Sequence, residues 1–98
     1  IMLTIETQRI ANGERHSCNG NYVDVKHDER FMTIYGMHGE VLGTIIRPQV
    51  LDPHRNWTIA NKHGEEIPGT VFSARAAFCR FLRKELGLNV SLLRGTEV

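Results

Sequence analysis

Alternation of apolar and polar positions runs through the first two thirds of the chain, and a helical period replaces it in the last third. Tyr22-Val23-Asp24-Val25-Lys26 alternates at period two, and Phe31–Tyr35 follows after the turn-forming His27-Asp28-Glu29-Arg30. Met2–Ile10 alternates more weakly through Leu3 and Ile5 and predicts a short strand. Ala11–Asn21 is polar and holds the turn dipeptides Asn12-Gly13 and Asn19-Gly20. That stretch predicts a loop or a mobile hairpin, so residues 1–21 are expected to be partly mobile. Pro48–Asn56, with two prolines, reads as a connection inside one domain.

Two segments of this pattern repeat. TIYGMHGE at 33–40 and TIANKHGE at 58–65 agree at five of eight positions, and each is followed by a Gly-Thr pair, Gly43-Thr44 and Gly69-Thr70. Each copy predicts a strand, a tight turn and a returning strand, with glycine supplying the positive φ that a short hairpin loop needs. Turn chemistry, or an old hairpin duplication, explains the repeat better than a duplicated binding site.

The helix is strongly signalled. Ser73, behind Phe72, is a good N-cap and leads into Ala74-Arg75-Ala76-Ala77. At 100° per residue, Ala74, Ala77, Phe78, Phe81, Leu82 and Leu86 share one arc, with Glu85 as a polar intrusion. Gly87 suits a left-handed C-terminal cap, with Leu88 as its hydrophobic partner. Leu88–Arg94 alternates again and predicts a strand that returns to the sheet. The expected fold is α+β: antiparallel β-hairpins in a meander of about four to six short strands, packed on one C-terminal amphipathic helix and closed by a final strand. Ninety-eight residues suffice for one core, so residues 1–98 read as a single small domain.

Charge changes this picture by its distribution. Residues 1–71 hold seven Lys/Arg against nine Asp/Glu, and residues 72–98 hold five against two. The net charge of +1 and pI near 8.1 fall short of a committed nucleic-acid binder, and the sign is wrong for an acidic DNA mimic. No apolar run approaches the roughly 18–20 residues of a membrane span and none resembles a secretory signal, so a cytoplasmic address follows by default. Cys18 and Cys79 fit no metal or redox spacing and predict two free thiols.

Candidate chemistry is thin. His16, His27, His38, His54 and His63 lack the paired spacing of a metal site and predict solvated turn histidines. The two His-Gly-Glu triplets lie in turns, where nothing excludes water from the carboxylate. Cys79 has Arg75 and Arg83 one helical turn away but no histidine to act as base. No glycine-rich phosphate loop or nucleophile elbow is present. No catalytic residue, metal or cofactor is therefore expected. Tyr22, Phe31, Tyr35 and Trp57 lie on strands, and at least half should be core.

The outer face of the helix is the strongest lead: Arg75, Arg80, Arg83 and Lys84, with Arg94 in the following strand, form the expected partner-binding set. The spacing Trp57…Gly64…Phe72…Ala77…Phe81 is similar to the small three-strand-plus-helix modules at the N-termini of tyrosine-type phage integrases, over residues 57–86 alone. The resemblance implies a hairpin feeding a helix. The basic, aromatic sheet face that those modules lay on DNA is poorly represented here. The sequence thus predicts a non-catalytic accessory protein of the phage or mobile-element type, acting on a larger protein or nucleoprotein complex as inhibitor or regulator. Direct DNA or RNA binding through the basic face of helix 73–86 is the alternative, and a homodimer through a strand edge is compatible with both.

Overall fold

The computed structural model describes residues 3–51, 53, 54, 56–71, 73–88, 90 and 91. Among these residues nine strands and one helix follow in order: β1 (Leu3–Thr4), β2 (Glu6–Ile10), β3 (Gly13–Cys18), β4 (Asn21–His27), β5 (Phe31–Tyr35), β6 (Val41–Ile46), β7 (Trp57–Asn61), β8 (Glu66–Val71), α1 (Ala74–Leu86) and β9 (Val90–Ser91). Strands β2 to β8 form one seven-stranded antiparallel meander, each paired with its sequence neighbours. The α+β meander with a C-terminal helix is as expected, but with more strands than the sequence predicted.

One difference adds a strand to the sheet. Ala11–Asn21 is no loose loop: β3 pairs along its whole length with β4 and from Gly13 to Ser17 with β2. Asn19 and Gly20 both have positive φ (51° and 82°), the geometry of a two-residue hairpin turn whose twist matches the flanking strands. The final strand also departs from expectation. β9 pairs in parallel with β1, Leu3 to Val90 and Thr4 to Ser91, in a separate two-stranded sheet. Residues 89 and 92–94 of the predicted strand lie outside the described residues.

The repeated segments fold alike. Gly36 N–H donates to Glu40 O and Gly39 N–H to Gly36 O; Asn61 N–H donates to Glu65 O and Gly64 N–H to Asn61 O. Gly39 and Gly64 occupy the left-handed region at φ 79° and 80°. Both copies are hairpin turns, and the two hairpins β5–β6 and β7–β8 lie side by side in the sheet.

The helix starts and stops where its signals place it. Ser73 accepts a bond from Ala76 N–H, and Gly87 at φ 65° turns the chain while Leu88 N–H donates to Leu82 O. Its apolar arc, Ala77, Phe78, Phe81 and Leu82, is fully buried, and Glu85 is exposed. That arc packs on β6, β7 and β8, and the sheet curls far enough for His16 of β3 to meet Phe78, ring centroids 4.5 Å apart. Against it lie Val25, Met32, Ile34, Ile45, Ile59 and Val71. At Gly43 a Cβ would come within 2.2 Å of the Phe81 ring, so only glycine lets helix and sheet approach this closely. The extra residue of the adjoining bulge, Leu42, packs against the same core.

Candidate functional site: the open face of the sheet

Because side chains alternate along a strand, burying Val25, Ile34, Ile45 and Ile59 under the helix sends their neighbours to the opposite face. Cross-strand pairing arranges that face in rows. One row runs Gln8, Arg15, Asp24, Tyr35, Val41; the next runs Ile10, Gly13, Lys26, Thr33, Thr44, Ala60, Glu66; a third holds Phe31, Ile46 and Thr58; and Glu6, Ser17 and Tyr22 complete it. Among the described residues no element packs on this face.

Its aromatic rings share one environment. Arg15 Cζ stands 3.9 Å from the Tyr22 ring centroid, Lys26 Nζ is 5.3 Å from that of Tyr35, and Arg30 Cζ is 5.9 Å from that of Phe31. Each ring of the face therefore carries a cation within cation–π range. Arg15 is fixed further by a bidentate pair with Asp24, Nε to Oδ1 at 2.8 Å and Nη2 to Oδ2 at 3.0 Å. That hydrogen-bonded carboxylate holds the Arg15 guanidinium more firmly protonated than usual. At the turn beside Phe31, backbone N–H groups of Phe31 and Arg30 donate to Asp28 Oδ1 and hold that carboxyl below its ordinary range.

Some of the exposed apolar side chains lie on this face or at its rim. Phe31 and Val41 sit on the face itself, 39% and 46% exposed, and Met37 occupies the turn between β5 and β6. Val50 and Leu51, 100% and 91% exposed, lie in the connection after β6, where Leu51 adjoins Arg30, Ile46 and Thr58. On the face itself Arg15 and Lys26 stand against Glu6, Asp24 and Glu66, and in the adjoining turn Arg30 stands beside Asp28, so the face is mixed polar and aromatic, without a surplus of cations.

The residues predicted as partner-binding are spread around α1. Arg75 faces a cleft toward β3 and β4, Arg80 Nη1 donates to Pro68 O on the β8 side at 3.4 Å, and Arg83 and Lys84 are exposed in the last turn. Arg94 lies outside the described residues. The aromatic reading needs correction: of Tyr22, Phe31, Tyr35 and Trp57, only Trp57 packs against the core on the helix side. The signal was present in β4, where Tyr22 and Lys26 alternate with Val23 and Val25. It was hidden in β5, where both faces are apolar.

The histidines also divide otherwise than expected. His38, His54 and His63 are exposed outside the strands, but His16 and His27 are half-buried strand residues. Thr7 Oγ1 is hydrogen-bonded to His16 Nδ1 at 3.0 Å, and His27 pairs with Glu14. Among the described residues no group of His, Cys, Asp or Glu converges as a metal site, and both cysteines are free thiols. No helix among them is long and apolar enough to cross a membrane.

Residues 57–86, where the integrase-module resemblance falls, comprise the β7–β8 hairpin and α1. Thr58, Ala60 and Glu66 occupy its open face, without a cation. Comparison with known protein families, with curated proteins and with solved structures finds no match to this chain.

Proposed function

We propose that this chain is a non-catalytic binding domain that docks on a larger protein, as an inhibitor or regulator, through the open face of its sheet. The observation that carries this reading is the composition of that face. Tyrosine, phenylalanine and arginine beside exposed aliphatic side chains make the mixture favoured at the centres of protein interfaces. Exposed aromatic rings grouped on one surface in this way are typical of interaction sites. Charge decides between classes of partner. A nucleic-acid platform needs a surplus of cations along the phosphate track, and here Arg15 and Lys26 meet Glu6, Asp24 and Glu66. The basic residues of α1 give less support to the nucleic-acid alternative, because Arg75 and Arg80 point to opposite flanks of the helix.

The test is affinity capture from lysate of the cells that express the chain, with and without nuclease, using the wild type and the Phe31→Ser/Tyr35→Ser variant. The expected result is one protein retained by the wild type after nuclease and lost by the variant, whose circular dichroism stays native. Loss of all partners after nuclease would move the reading to nucleic acid. Retention by this variant but not by Arg80→Glu/Arg83→Glu would move it to the helix.

A homodimer through a strand edge would use β2. The other outer edge, β8, is interrupted by Pro68, which has no N–H to offer a neighbouring strand. Light scattering at two concentrations checks it: a mass that stays at one chain excludes the dimer.

A further inference from the structure

One helix is too narrow to roof this sheet. Seven strands spaced about 4.8 Å apart make a surface about 30 Å wide, and a helix with its side chains covers about 10–12 Å of it. Helix α1 lies over β6 to β8, so apolar positions of β3 and β4 on the same side are only partly covered.

Pairing register decides which positions these are. His16 stands opposite Val23, and Cys18 opposite Asn21. Because His16 meets Phe78 of the helix, both pairs belong to the helix side. Ile5, just ahead of β2, joins the core there. From across the gap come Leu82 and Leu86, one turn apart near the end of α1, and Leu88 behind the Gly87 cap. Between the two groups lies an opening of about 350 Å³. Ile5 and Leu82 are buried, but Cys18, Val23, Leu86 and Leu88 are only half-buried, so its apolar walls are incompletely packed.

The chemistry of the lining selects the occupant. Among the described residues no Lys, Arg, Asp or Glu lines the opening; its polar groups belong to His16, Asn19, Asn21 and Tyr22. His16 is already hydrogen-bonded through Nδ1 to Thr7. An ion entering here would give up its water without meeting a countercharge. An apolar body, in contrast, gains by covering the half-buried leucines. The volume stands at the lower end of the range of small-molecule sites and suits a single ring.

We propose that this pocket binds a small uncharged molecule, one aromatic ring or a short branched chain, with at most one hydroxyl or carbonyl group for the exposed asparagines at its rim. The site lies on the side of the sheet away from the docking face and does not rest on that reading.

Methyl chemical shifts of the full chain are followed by NMR while benzyl alcohol, benzoate or benzylamine is added at neutral pH. The three probes share one ring and differ in charge. The expected result is a saturable shift with benzyl alcohol, confined to the methyl groups of Ile5, Val23, Leu82, Leu86 and Leu88, at a Kd of about 1 mM or tighter. Benzoate and benzylamine should bind at least about tenfold more weakly. Leu86→Trp fills the space from the helix and should weaken benzyl alcohol at least about tenfold without lowering Tm. Cys18→Leu fills it from the sheet and decides the matter should Leu86→Trp fail to fold. No saturable shift with benzyl alcohol would overturn the assignment, and a pocket occupied by the chain itself would show in that way. Equal binding of either ion, shifts spread beyond the pocket, or unchanged affinity in a folded filling variant would overturn it as well. Loss of the captured protein in Leu86→Trp, with no response to benzyl alcohol, would give the pocket to a partner's side chain instead.

Discussion

Gly43 and Phe81 show how closely the fold depends on single side chains. The Phe81 ring lies over Gly43 where any Cβ would collide with it, and Phe81 is completely buried. Gly43→Ala should cost about 1–3 kcal/mol by overpacking, and combining it with Phe81→Leu should recover part of that loss. Urea denaturation of the two single variants and the double variant measures the coupling; additive losses would show that the ring and the glycine act independently. Asp28 gives a pH-dependent case. Its carboxyl is held below the usual range by the Phe31 and Arg30 amides, so it stabilises the fold above its unfolded-state pKa. That contribution is lost as pH falls through the depressed folded value. Amide exchange at Phe31 should therefore accelerate, relative to the intrinsic rate, as acid protonates Asp28, and Asp28→Ala should remove the dependence. At this scale the sequence was only partly readable. Gly43 looked like hairpin punctuation, because nothing local reveals an aromatic ring arriving from residue 81. His16 and His27 looked like turn residues, because their partners Thr7 and Glu14 are brought to them by strand pairing.

Secondary elements with a clear periodic signal were legible, and those without one were not. Helix α1 combines an N-cap, an apolar arc and a left-handed cap, and each signal is met at the predicted residue. Strand β3, GERHSC, offers no aliphatic residue on either face, and every position is half-buried. It is a strand because β2 and β4 pair with it on both sides, which is non-local information. The repeated turns were legible for a physical reason: positive φ demands glycine, and Gly39 and Gly64 supply it. A Cβ at either position would meet nothing within 4 Å, so substitution is opposed by backbone conformation alone. Gly39→Ala and Gly64→Ala should each cost about 1–2 kcal/mol in thermal or urea unfolding and leave partner capture unchanged. A capture defect in either variant at native stability would give the repeat a role beyond its turn geometry. The direction of β9 was not legible, because two residues carry no register information and the partner strand lies at the other end of the chain.

At the scale of the whole molecule, the sheet separates two kinds of surface. One face is closed by α1, which leaves a cleft at its N-terminal end; the other carries three cation-capped aromatic rings, with exposed aliphatic side chains on it and at its rim. Sequence reading placed the interaction on the helix because charge is visible without a fold. The open face appears only once pairing register brings Tyr22, Tyr35 and Phe31 onto one surface from two strands. Site-specific photo-crosslinking compares the two surfaces directly. A benzophenone side chain is placed at Thr33, between Phe31 and Tyr35 on the open face, and separately at Arg83 on the outer side of the helix. Docking through the open face predicts one nuclease-resistant protein adduct from position 33 and none from position 83. An adduct from position 83 alone, or an adduct that disappears with nuclease, would contradict it.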